Sequence, residues 1–422
     1  MAAITAAIMG SLSSGDHIVG GDQLYGRSLR LMKSDLPRFG IEVSLSDMTN
    51  IAKVRDAIKP NTKLILIELV SNPTLRVADI VGIVTLCQEK DIKLLVDNTF
   101  TTPKAFKPMS AGADIVVNSV TKLLAGHSDV TLGYVVAKDE TTNKSIYDFA
   151  VTTGLTPSPY ECWLAERGLM TFPLRFESSQ ATATILAQYL SMNKNVDRVL
   201  YPTLPDHPDA ALVKNSLGLN GCNLVSFELK NKTREAANRF VKQLEGIAFA
   251  PTLGDVGTTL SHPASSSHRG LSENDRLALG ITEGFFRVSV GLEDPDTLKE
   301  KFGTIDNLNI VWMGDMNNVL FSLVEVIGFT KNTKIDVFTD KKIYSQNKDS
   351  FNQNKHINFH FEINKNIISK ANCIMTDVFT SMNDKEDKEK ILSKFQVNDK
   401  IMSMTDEKSI FMHCLPAKIG SE

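Results

Sequence analysis

Four short apolar runs alternate with helical stretches between about residues 60 and 140, and this alternation constrains the fold more than any other sequence feature. It is typical of βαβ units, in which helices connect parallel strands. Each run is apolar on both faces, as expected for a strand that helices cover on both sides. We therefore expect an α/β fold whose ligands bind at the carboxyl ends of a mostly parallel sheet. The predicted strands are residues 63–70, 93–98, 114–120 and 132–137.

The sequence after this region predicts a smaller α+β domain and then a third domain. A chain of 422 residues is expected to form two or three domains. Beyond about residue 300 Asn, Lys and Ile become frequent, and a new strand-turn-helix pattern begins. The smaller domain is predicted from a helical stretch at 155–200, a strand at 223–229, a helix at 234–246 and a strand at 284–292. The expected domains are residues 1–150, 151–300 and 301–422.

Composition indicates an ordinary soluble globular protein. A formal net charge of -3 with 23% charged residues gives no basic surface for nucleic acid or for an anionic membrane. Five cysteines without paired spacing predict reduced thiols in a cytoplasmic protein, and no metal-ligand cluster stands out. The apolar opening MAAITAAIMGSL lacks a basic flank and is too short to span a bilayer, so a buried helix is expected.

Two polar residues stand at the ends of predicted strands. Lys122 follows the strand that ends in NSVTK, where its amine could form a Schiff base while Ser119, Thr121 and backbone amides bind a phosphate. Asp97 ends the strand before it, where a carboxylate could pair with a protonated ring nitrogen. A solvated lysine and an aspartate that caps the next helix are the alternatives.

Arg287 and Tyr25 are two further candidates. Arg287 lies inside an apolar predicted strand, where a guanidinium is costly without an anionic partner. Its planar fork suits a substrate α-carboxylate, and a structural ion pair is the alternative. Tyr25 follows a predicted strand and could stack on a ring, or it could be an ordinary core or surface residue.

Several motifs in order along residues 1–300 resemble the pyridoxal-phosphate-dependent enzymes of Cys/Met metabolism. This family includes cystathionine γ-synthase, cystathionine γ-lyase and the homoserine sulfhydrylases. The resemblance implies fold type I, with a large domain and a small α+β domain. The motifs that carry the resemblance are MAAITAAI, GDHIVGGDQLYGRSLRL, SNPTLRVADI, VDNTF, SVTKLLAGHSDV, LYPTLPDHPDAAL, LSHPASSSH and FFRVSVGLEDPDTL.

The resemblance assigns cofactor roles to matching positions. Lys122 would be the Schiff-base lysine, and Asp97 would pair with the pyridinium nitrogen. Tyr25 would stack on the ring and help to activate the incoming amine. The other implied cofactor contacts are Ser119 and Thr121 at the phosphate, the Met1 backbone beside them, and Asn72 at the phenolic oxygen of the ring.

Substrate contacts follow from the same resemblance. Arg287 would clamp the substrate carboxylate, helped by the region around Thr252. Arg30 matches the position at which the synthases bind a distal carboxylate. Arg27 stands where methionine γ-lyases carry a cysteine, and this disfavours that member of the family.

The implied reaction acts on cystathionine or an O-acylhomoserine. Freed Lys122 would remove the α-proton, after which a β-proton and the γ-substituent leave. Addition of a thiol then gives synthesis, whereas water gives lysis. The choice among synthase, lyase and sulfhydrylase stays open at this point.

The resemblance also implies a homo-oligomer, since the family forms tetramers. Family members carry several dozen residues before the position of Met1, including a Tyr and an Arg that reach the phosphate of a neighbouring subunit. We expect that a chain without this arm binds cofactor and assembles more weakly.

The last 120 residues resemble a second family, the ornithine-binding half of ornithine carbamoyltransferase. The resemblance rests on NLNIVWMGDMNNVLFSL, IMTDVFTSMNDKEDKEKILSKFQVNDKIM and FMHCLPAKIGSE. It implies an incomplete doubly wound α/β domain, in which Asn383 replaces a usual glycine. The implied ornithine contacts are Asn318, Asp377, Ser381 and Met382, with Cys414 and Leu415 at the site of carbamoyl transfer. A helix-capping role for Asp377 and an apolar packing role for Cys414 are the alternatives.

The two resemblances lead to three hypotheses about function. The first is a trans-sulfuration enzyme, impaired by truncation. The second is a catalytically silent amino-acid-binding or assembly protein, or a chimeric reading frame joined near TLKEKFGTIDNLN. Carbamoyl transfer is the least favoured hypothesis, because the Ser-Thr-Arg-Thr motif that binds carbamoyl phosphate in that family does not occur in the sequence.

Overall fold

The computed structural model divides the chain into two compact units, Met1–Phe302 and Gly303–Glu422. The further division of the first unit near residue 150 stays a prediction. The structure describes residues 1–244, 246–302, 308–327, 330, 333–351, 356–380, 388–406 and 409–413.

The first unit begins with a six-stranded sheet in the order β2-β1-β3-β4-β5-β6. All pairings are parallel except that of β5 with β6, which is antiparallel. The four strands predicted between residues 60 and 140 are confirmed as β3 to β6. The expectation that all four are apolar on both faces is wrong for β6, because this edge strand is partly exposed. The strands are β1 (His17–Gly21), β2 (Glu42–Ser46), β3 (Thr62–Glu68), β4 (Lys93–Asp97), β5 (Ile115–Ser119) and β6 (Gly133–Ala137).

Helices accompany this sheet. Asn50 and Asp79 accept hydrogen bonds from first-turn backbone amides of α3 and α4, so each of these helices begins at a side-chain cap. The opening helix α1 buries Ile4, Ala7 and Ile8, which confirms the predicted buried helix. The helices are α1 (Ala2–Met9), α2 (Gly26–Arg30), α3 (Ile51–Ala57), α4 (Ile80–Lys90), α5 (Thr102–Ala105), α6 (Pro108–Ala111) and α7 (Glu140–Thr152).

A second sheet of five strands completes the first unit, in the order β7-β8-β11-β10-β9. Its pairings are antiparallel except that of β9 with β10. The predicted strands at 223–229 and 284–292 are confirmed as β8 and β11. The strands are β7 (Val196–Leu200), β8 (Leu224–Leu229), β9 (Ala248–Phe249), β10 (Thr259–Ser261) and β11 (Phe285–Ser289). The helices are α8 (Pro159–Leu169), α9 (Phe172–Ser191), α10 (Ala210–Ser216), α11 (Arg234–Gln243), α12 (Glu273–Ala278) and α13 (Pro295–Phe302).

The two sheets of the first unit share one hydrophobic core. Ile65 and Ile67 of β3 belong to the same buried cluster as Phe227 of β8 and Phe286 of β11. The rings of Phe227 and Phe286 stack with a centroid distance of 5.7 Å. This shared core holds residues from both sheets at fixed positions around the carboxyl edge of the first sheet.

The second unit contains a five-stranded parallel sheet in the order β14-β13-β12-β15-β16. Its core contains Trp312, Phe338, Phe379 and Phe395, each almost fully buried. The strands are β12 (Asn309–Met313), β13 (Lys334–Phe338), β14 (Ile357–His360), β15 (Cys373–Thr376) and β16 (Ile410–His413). The helices are α14 (Asn318–Ile327), α15 (Lys341–Asn347), α16 (Lys365–Ile368), α17 (Glu389–Leu392) and α18 (Asp399–Met402). In the part of the chain that the structure describes, no helix is both long and apolar enough to cross a membrane.

The loop at residues 71–77, which follows β3, is bonded to the segment before α10. Arg76 donates from Nε and Nη2 to the two carboxylate oxygens of Asp209, at 2.7 and 2.8 Å. The amide of Val77 donates to the same carboxylate at 2.9 Å. The Asp209 side chain is almost fully buried, and the Arg76 side chain is mostly buried. Removing one partner of such a pair is costly, because the other charge is then left mostly buried and uncompensated.

We expect Asp209→Asn to destabilise the first unit by about 3 kcal/mol, because Arg76 would keep a mostly buried charge without its carboxylate. Urea denaturation followed by circular dichroism measures this loss. The control is Asp148→Asn, which breaks the exposed Lys144–Asp148 ion pair and should leave the denaturation midpoint unchanged. Equal midpoints for the two variants would contradict the prediction.

Candidate functional site

Three polar side chains end neighbouring strands at the carboxyl edge of the first sheet. Glu68, Asp97 and Ser119 are the last residues of β3, β4 and β5. Glu68 and Asp97 are register partners on adjacent parallel strands. Ligands of such sheets collect at this edge, so these residues define the candidate site.

The two carboxyl groups at this edge favour protonation. Burial raises the pKa of Asp97, although hydrogen bonds from Thr99 and the charge of the Met1 amino group oppose the shift. Burial and the neighbouring Asp97 raise the pKa of Glu68 well above its usual value, although backbone amides of Tyr25 and Asn72 donate to it. The Tyr25 amide nitrogen lies 2.6 Å from Glu68 Oε1. Asp97 makes no ion pair within the described residues, so a cationic ligand at this position would offset its burial.

Lys122 lies in a tight turn, Val120–Leu124, directly after β5. Its own backbone leaves the helical region, with φ -90° and ψ -134°. The side chain is half-buried and makes no hydrogen bond or ion pair with the described residues. Burial and the positive charge of Arg287 lower the pKa of the Lys122 amine. A lowered pKa increases the fraction of neutral amine, which is the nucleophilic form.

The neighbours of Lys122 fix the backbone of this turn. The Thr121 hydroxyl donates to the Leu132 carbonyl at 3.1 Å and accepts from the Leu132 amide at 2.9 Å. Gly254 packs so closely that a Cβ there would lie 2.9 Å from the Lys122 carbonyl carbon. The Thr121 hydroxyl proton is therefore directed to the backbone in this structure, whereas the Ser119 hydroxyl makes no hydrogen bond with the described residues.

Arg287 of β11 reaches the loop after β3. Its Nη1 donates to Asn72 Oδ1 at 2.6 Å, and its Nη2 donates to the Thr252 carbonyl at 3.1 Å. The Arg287 side chain is buried, and its Nε has no hydrogen-bond partner within the described residues. Burial lowers the pKa of Arg287 to about 10. A buried guanidinium without a carboxylate is suited to an incoming anion, and Thr252 contributes a backbone carbonyl that orients it.

Tyr25 and His268 also lie beside Arg287. Tyr25 immediately precedes α2 and is 43% exposed, and its phenol acts electrostatically on Arg287. His268 is buried, and burial together with the charge of Arg287 lowers its pKa to about 4. Arg30, by contrast, is exposed and makes no hydrogen bond or ion pair with the described residues. The structure thus brings Tyr25 to the candidate site and does not bring Arg30 into contact with it.

The amino end of α1 lies near the same edge. The charge of the Met1 amino group influences the pKa of Asp97, and a Cβ at Gly133 of β6 would lie 3.1 Å from Ala3 Cβ of α1. No side chain caps the first turn of α1. Backbone amides at a helix start bind anionic groups such as phosphate. This edge of the sheet thus offers an amine that could react with an aldehyde and a carboxylate that could pair with a pyridine nitrogen. It also offers a helix start that could bind a phosphate.

Glu68 and His268 were not predicted from the sequence. Glu68 is a polar residue that ends an apolar strand, so the rule that selected Asp97 could have found it. No local sequence pattern marks His268, because it lies in a loop and a helix separates it from Arg287 along the sequence. Within the described residues no group of three or more His, Cys, Asp or Glu side chains could hold a metal ion.

In the second unit the structure pairs Asp377 with Asn317. Asn317 Nδ2 donates to Asp377 Oδ2 at 2.7 Å, and both side chains are buried. The carboxylate of Asp377 therefore does not cap a helix through this contact. Asn318 begins α14 and is exposed. The other residues predicted at the ornithine site lie outside the described residues, as does Asn383: they are Ser381, Met382, Cys414 and Leu415.

Comparison with known proteins matches the two units to two families. Residues 1–304 match the model of the Cys/Met metabolism PLP-dependent enzymes. Residues 306–422 match the Asp/Orn binding domain of the aspartate/ornithine carbamoyltransferases.

Individual relatives agree with the first match. Cystathionine beta-lyase MetC of Bacillus subtilis is 41% identical over 302 residues, which cover 72% of this chain and 76% of that enzyme. O-succinylhomoserine sulfhydrylase of Pseudomonas aeruginosa is 38% identical over 299 residues, which cover 71% of this chain and 73% of that enzyme. The crystal structure of cystathionine gamma-lyase from Lactobacillus plantarum, complexed with L-serine, matches with a TM-score of 0.67 and 34% identity, covering 71% of this chain and 79% of that one. The chain belongs to the pyridoxal-phosphate-dependent enzymes of Cys/Met metabolism.

Proposed function

We propose that this chain is a trans-sulfuration enzyme that depends on pyridoxal phosphate and acts on cystathionine or an O-acylhomoserine. The observation that carries the proposal is the convergence of Lys122, Asp97 and Arg287 at one edge of a sheet, within a chain of this family. Relatives named as a cystathionine gamma-lyase and as an O-succinylhomoserine sulfhydrylase support γ-elimination or γ-replacement as the reaction class. The choice between these outcomes depends on whether water or a thiol completes the reaction.

The residues at this edge could hold each part of the cofactor. Lys122 would bind the aldehyde carbon, and Asp97 would pair with the ring nitrogen. The ring of Tyr25 would cover the cofactor ring from the exposed side. Ser119 and the start of α1 at Met1 would bind the phosphate, while Thr121 would hold the turn through Leu132. Asn72 accepts from Arg287 through Oδ1, so its Nδ2 is left to donate to the phenolic oxygen.

Proton transfer in this proposal belongs to Lys122. When bound, pyridoxal phosphate supplies an electron-withdrawing ring that accepts the electron pair released at the substrate α-carbon. Burial and Arg287 lower the pKa of the Lys122 amine, so more of it is neutral and able to accept the α-proton near neutral pH. A deprotonated Asp97 would pair with the ring nitrogen of the cofactor and favour its protonated form, which strengthens the electron sink.

Arg287 would orient the substrate in this site. Its guanidinium is already held by Asn72 and by the Thr252 carbonyl, so little side-chain entropy is lost when a carboxylate binds. Nε is the donor that lacks a partner within the described residues. A substrate carboxylate at Nε would satisfy this donor and compensate the buried charge. We further propose that exposed Arg30 binds a distal carboxylate of the substrate.

The test of the proposed function compares the intact protein with Lys122→Ala. With added pyridoxal phosphate, the intact protein should show the visible absorbance of a lysine-bound cofactor and release ammonia and a keto acid from cystathionine. Lys122→Ala should lose both, because it removes the amine. Lys138→Ala, a change at an exposed lysine of the same unit, is the control and should behave as the intact protein.

The outcomes of this test separate the hypotheses. Absorbance without turnover, with either cystathionine or an O-acylhomoserine plus a thiol as substrate, would favour a catalytically silent binding protein. No absorbance in the intact protein would refute cofactor binding.

We expect Arg287→Lys to raise the KM for the amino-acid substrate by about 10- to 100-fold, because the single nitrogen of an ammonium group does not reproduce the planar fork that reaches both fixed acceptors and a carboxylate. The kcat should fall much less, since Arg287 binds the part of the substrate that does not react. Steady-state kinetics measure both constants. A lower kcat with an unchanged KM would mean that Arg287 does not bind the carboxylate.

We also propose that the chain forms a homo-oligomer through an apolar face on α8 and the start of α9. This face consists of Tyr160, Trp163, Met170 and Leu174, each more than half exposed. The rings of Tyr160 and Trp163 stack with a centroid distance of 6.0 Å. Exposed clusters of large apolar side chains are typical of protein interfaces.

Trp163→Glu should weaken this assembly, because it places a charge in the centre of the apolar face. Light scattering coupled to size-exclusion chromatography is expected to show a smaller species for the variant than for the intact protein. The control is Leu219→Glu, which adds the same charge at a residue that is 95% exposed and outside the face. A monomeric intact protein would refute the proposed oligomer.

A further inference from the structure

Arg175 of α9 is a buried arginine beside the Lys122 turn. Its side chain is 8% exposed, and it forms no ion pair with a carboxylate within the described residues. Burial lowers the pKa of its guanidinium. A buried charge without a counter-charge is costly, so a structural reason is needed for its position.

Backbone carbonyl oxygens surround this guanidinium. Nη1 donates to the Leu123 carbonyl at 2.8 Å, and Nη2 donates to the Leu124 carbonyl at 2.9 Å. Nη2 also donates to the Gly168 carbonyl at the end of α8, at 2.7 Å. Nε donates to the Thr171 hydroxyl at 3.0 Å. The fork of one side chain thus joins the two residues that follow Lys122 to the junction of α8 and α9.

The turn has room for this guanidinium only because Gly126 lacks a side chain. A Cβ at Gly126 would overlap Arg175 Nη1, and the backbone there has φ +78°. The Gly126 amide donates to the Lys122 carbonyl at 2.8 Å and closes the turn. Gly254 also packs against the backbone of Lys122 and Leu123. Both Gly254 and Arg175 therefore contact the turn that carries the reactive amine.

We propose that Arg175 is a positioning residue that fixes the direction of the Lys122 side chain through the carbonyl groups of Leu123 and Leu124. This inference rests on the proposed function, in which Lys122 moves the α-proton. Arg175 does not touch Asn72 or Arg287, so its effect is confined to the amine and does not extend to substrate binding. A planar guanidinium is required because a lysine ammonium presents one nitrogen and cannot reach all four acceptors.

A purely structural role predicts a different result from a positioning role. If Arg175 only stabilised the fold, its replacement would lower the melting temperature and the folded fraction, and each folded site would keep its full rate. If Arg175 positions Lys122, sites that are folded and hold cofactor become slow. Displacements of about 1 Å in a reacting group can cost about 100-fold in rate.

The experiment measures kcat per bound cofactor, counted from the visible absorbance, together with KM. Arg175→Lys should lower kcat by about 10- to 100-fold and leave KM within about twofold. Thr171→Val removes the acceptor of Nε and the long Thr171 hydroxyl donation to the Gly168 carbonyl at 3.4 Å. It should fold normally and lower kcat by a smaller factor. The matched control is Arg198→Lys. Arg198 lies on β7 of the second sheet and donates to Glu228 and to the Gly280 carbonyl. This variant should lower the melting temperature without changing kcat.

The outcomes are distinct from those of the proposed function. An unchanged kcat per bound cofactor in Arg175→Lys, or in Thr171→Val if the former does not fold, overturns the positioning role while the proposed function stands. Equal loss of kcat in Arg198→Lys overturns it as well, because the effect would then be a general consequence of lost stability. Absence of Lys122-dependent absorbance in the intact protein overturns both proposals together.

Discussion

The burial of the Arg287 guanidinium is the interaction on which the candidate site depends. A charge at this depth must be held by hydrogen bonds, and Arg287 obtains them from Asn72 and the Thr252 carbonyl. These contacts join β11 of the second sheet to loops on either side of the site. Burial lowers the pKa of Lys122 and of His268, and the charge of Arg287 lowers both further.

The opposite charges of the site are kept apart. Asp97 and Glu68 stand side by side on β4 and β3, where burial raises the pKa of each. Lys122 and Arg287 have lowered pKa values for the same reason. Asp97 and Arg287 would each gain from a partner of opposite charge, which a cationic ring nitrogen and a substrate carboxylate would supply. The neutral form of Lys122 could react with an aldehyde.

Part of this site was predictable from local patterns. Asp97 and Lys122 follow apolar strands, and an arginine inside an apolar strand is conspicuous, so Arg287 was found as well. Arg175 is different, because its partners on the Lys122 turn are about fifty residues away and its own segment is an ordinary helix. The edge strand β2 was missed since its half-exposed residues lack a continuous apolar run. Contacts between distant segments leave no trace in local periodicity.

The 71–77 loop has a mechanical consequence for this unit. The Ser226 hydroxyl of β8 donates to the Pro73 carbonyl of this loop at 2.6 Å. In the same loop, Arg76 donates to Asp209, and Asn72 accepts from Arg287. Swinging one sheet away from the other would break these three buried attachments together. The two sheets thus behave as one rigid frame, which favours substrate admission by rearrangement of exposed side chains such as Tyr25 over a hinge motion.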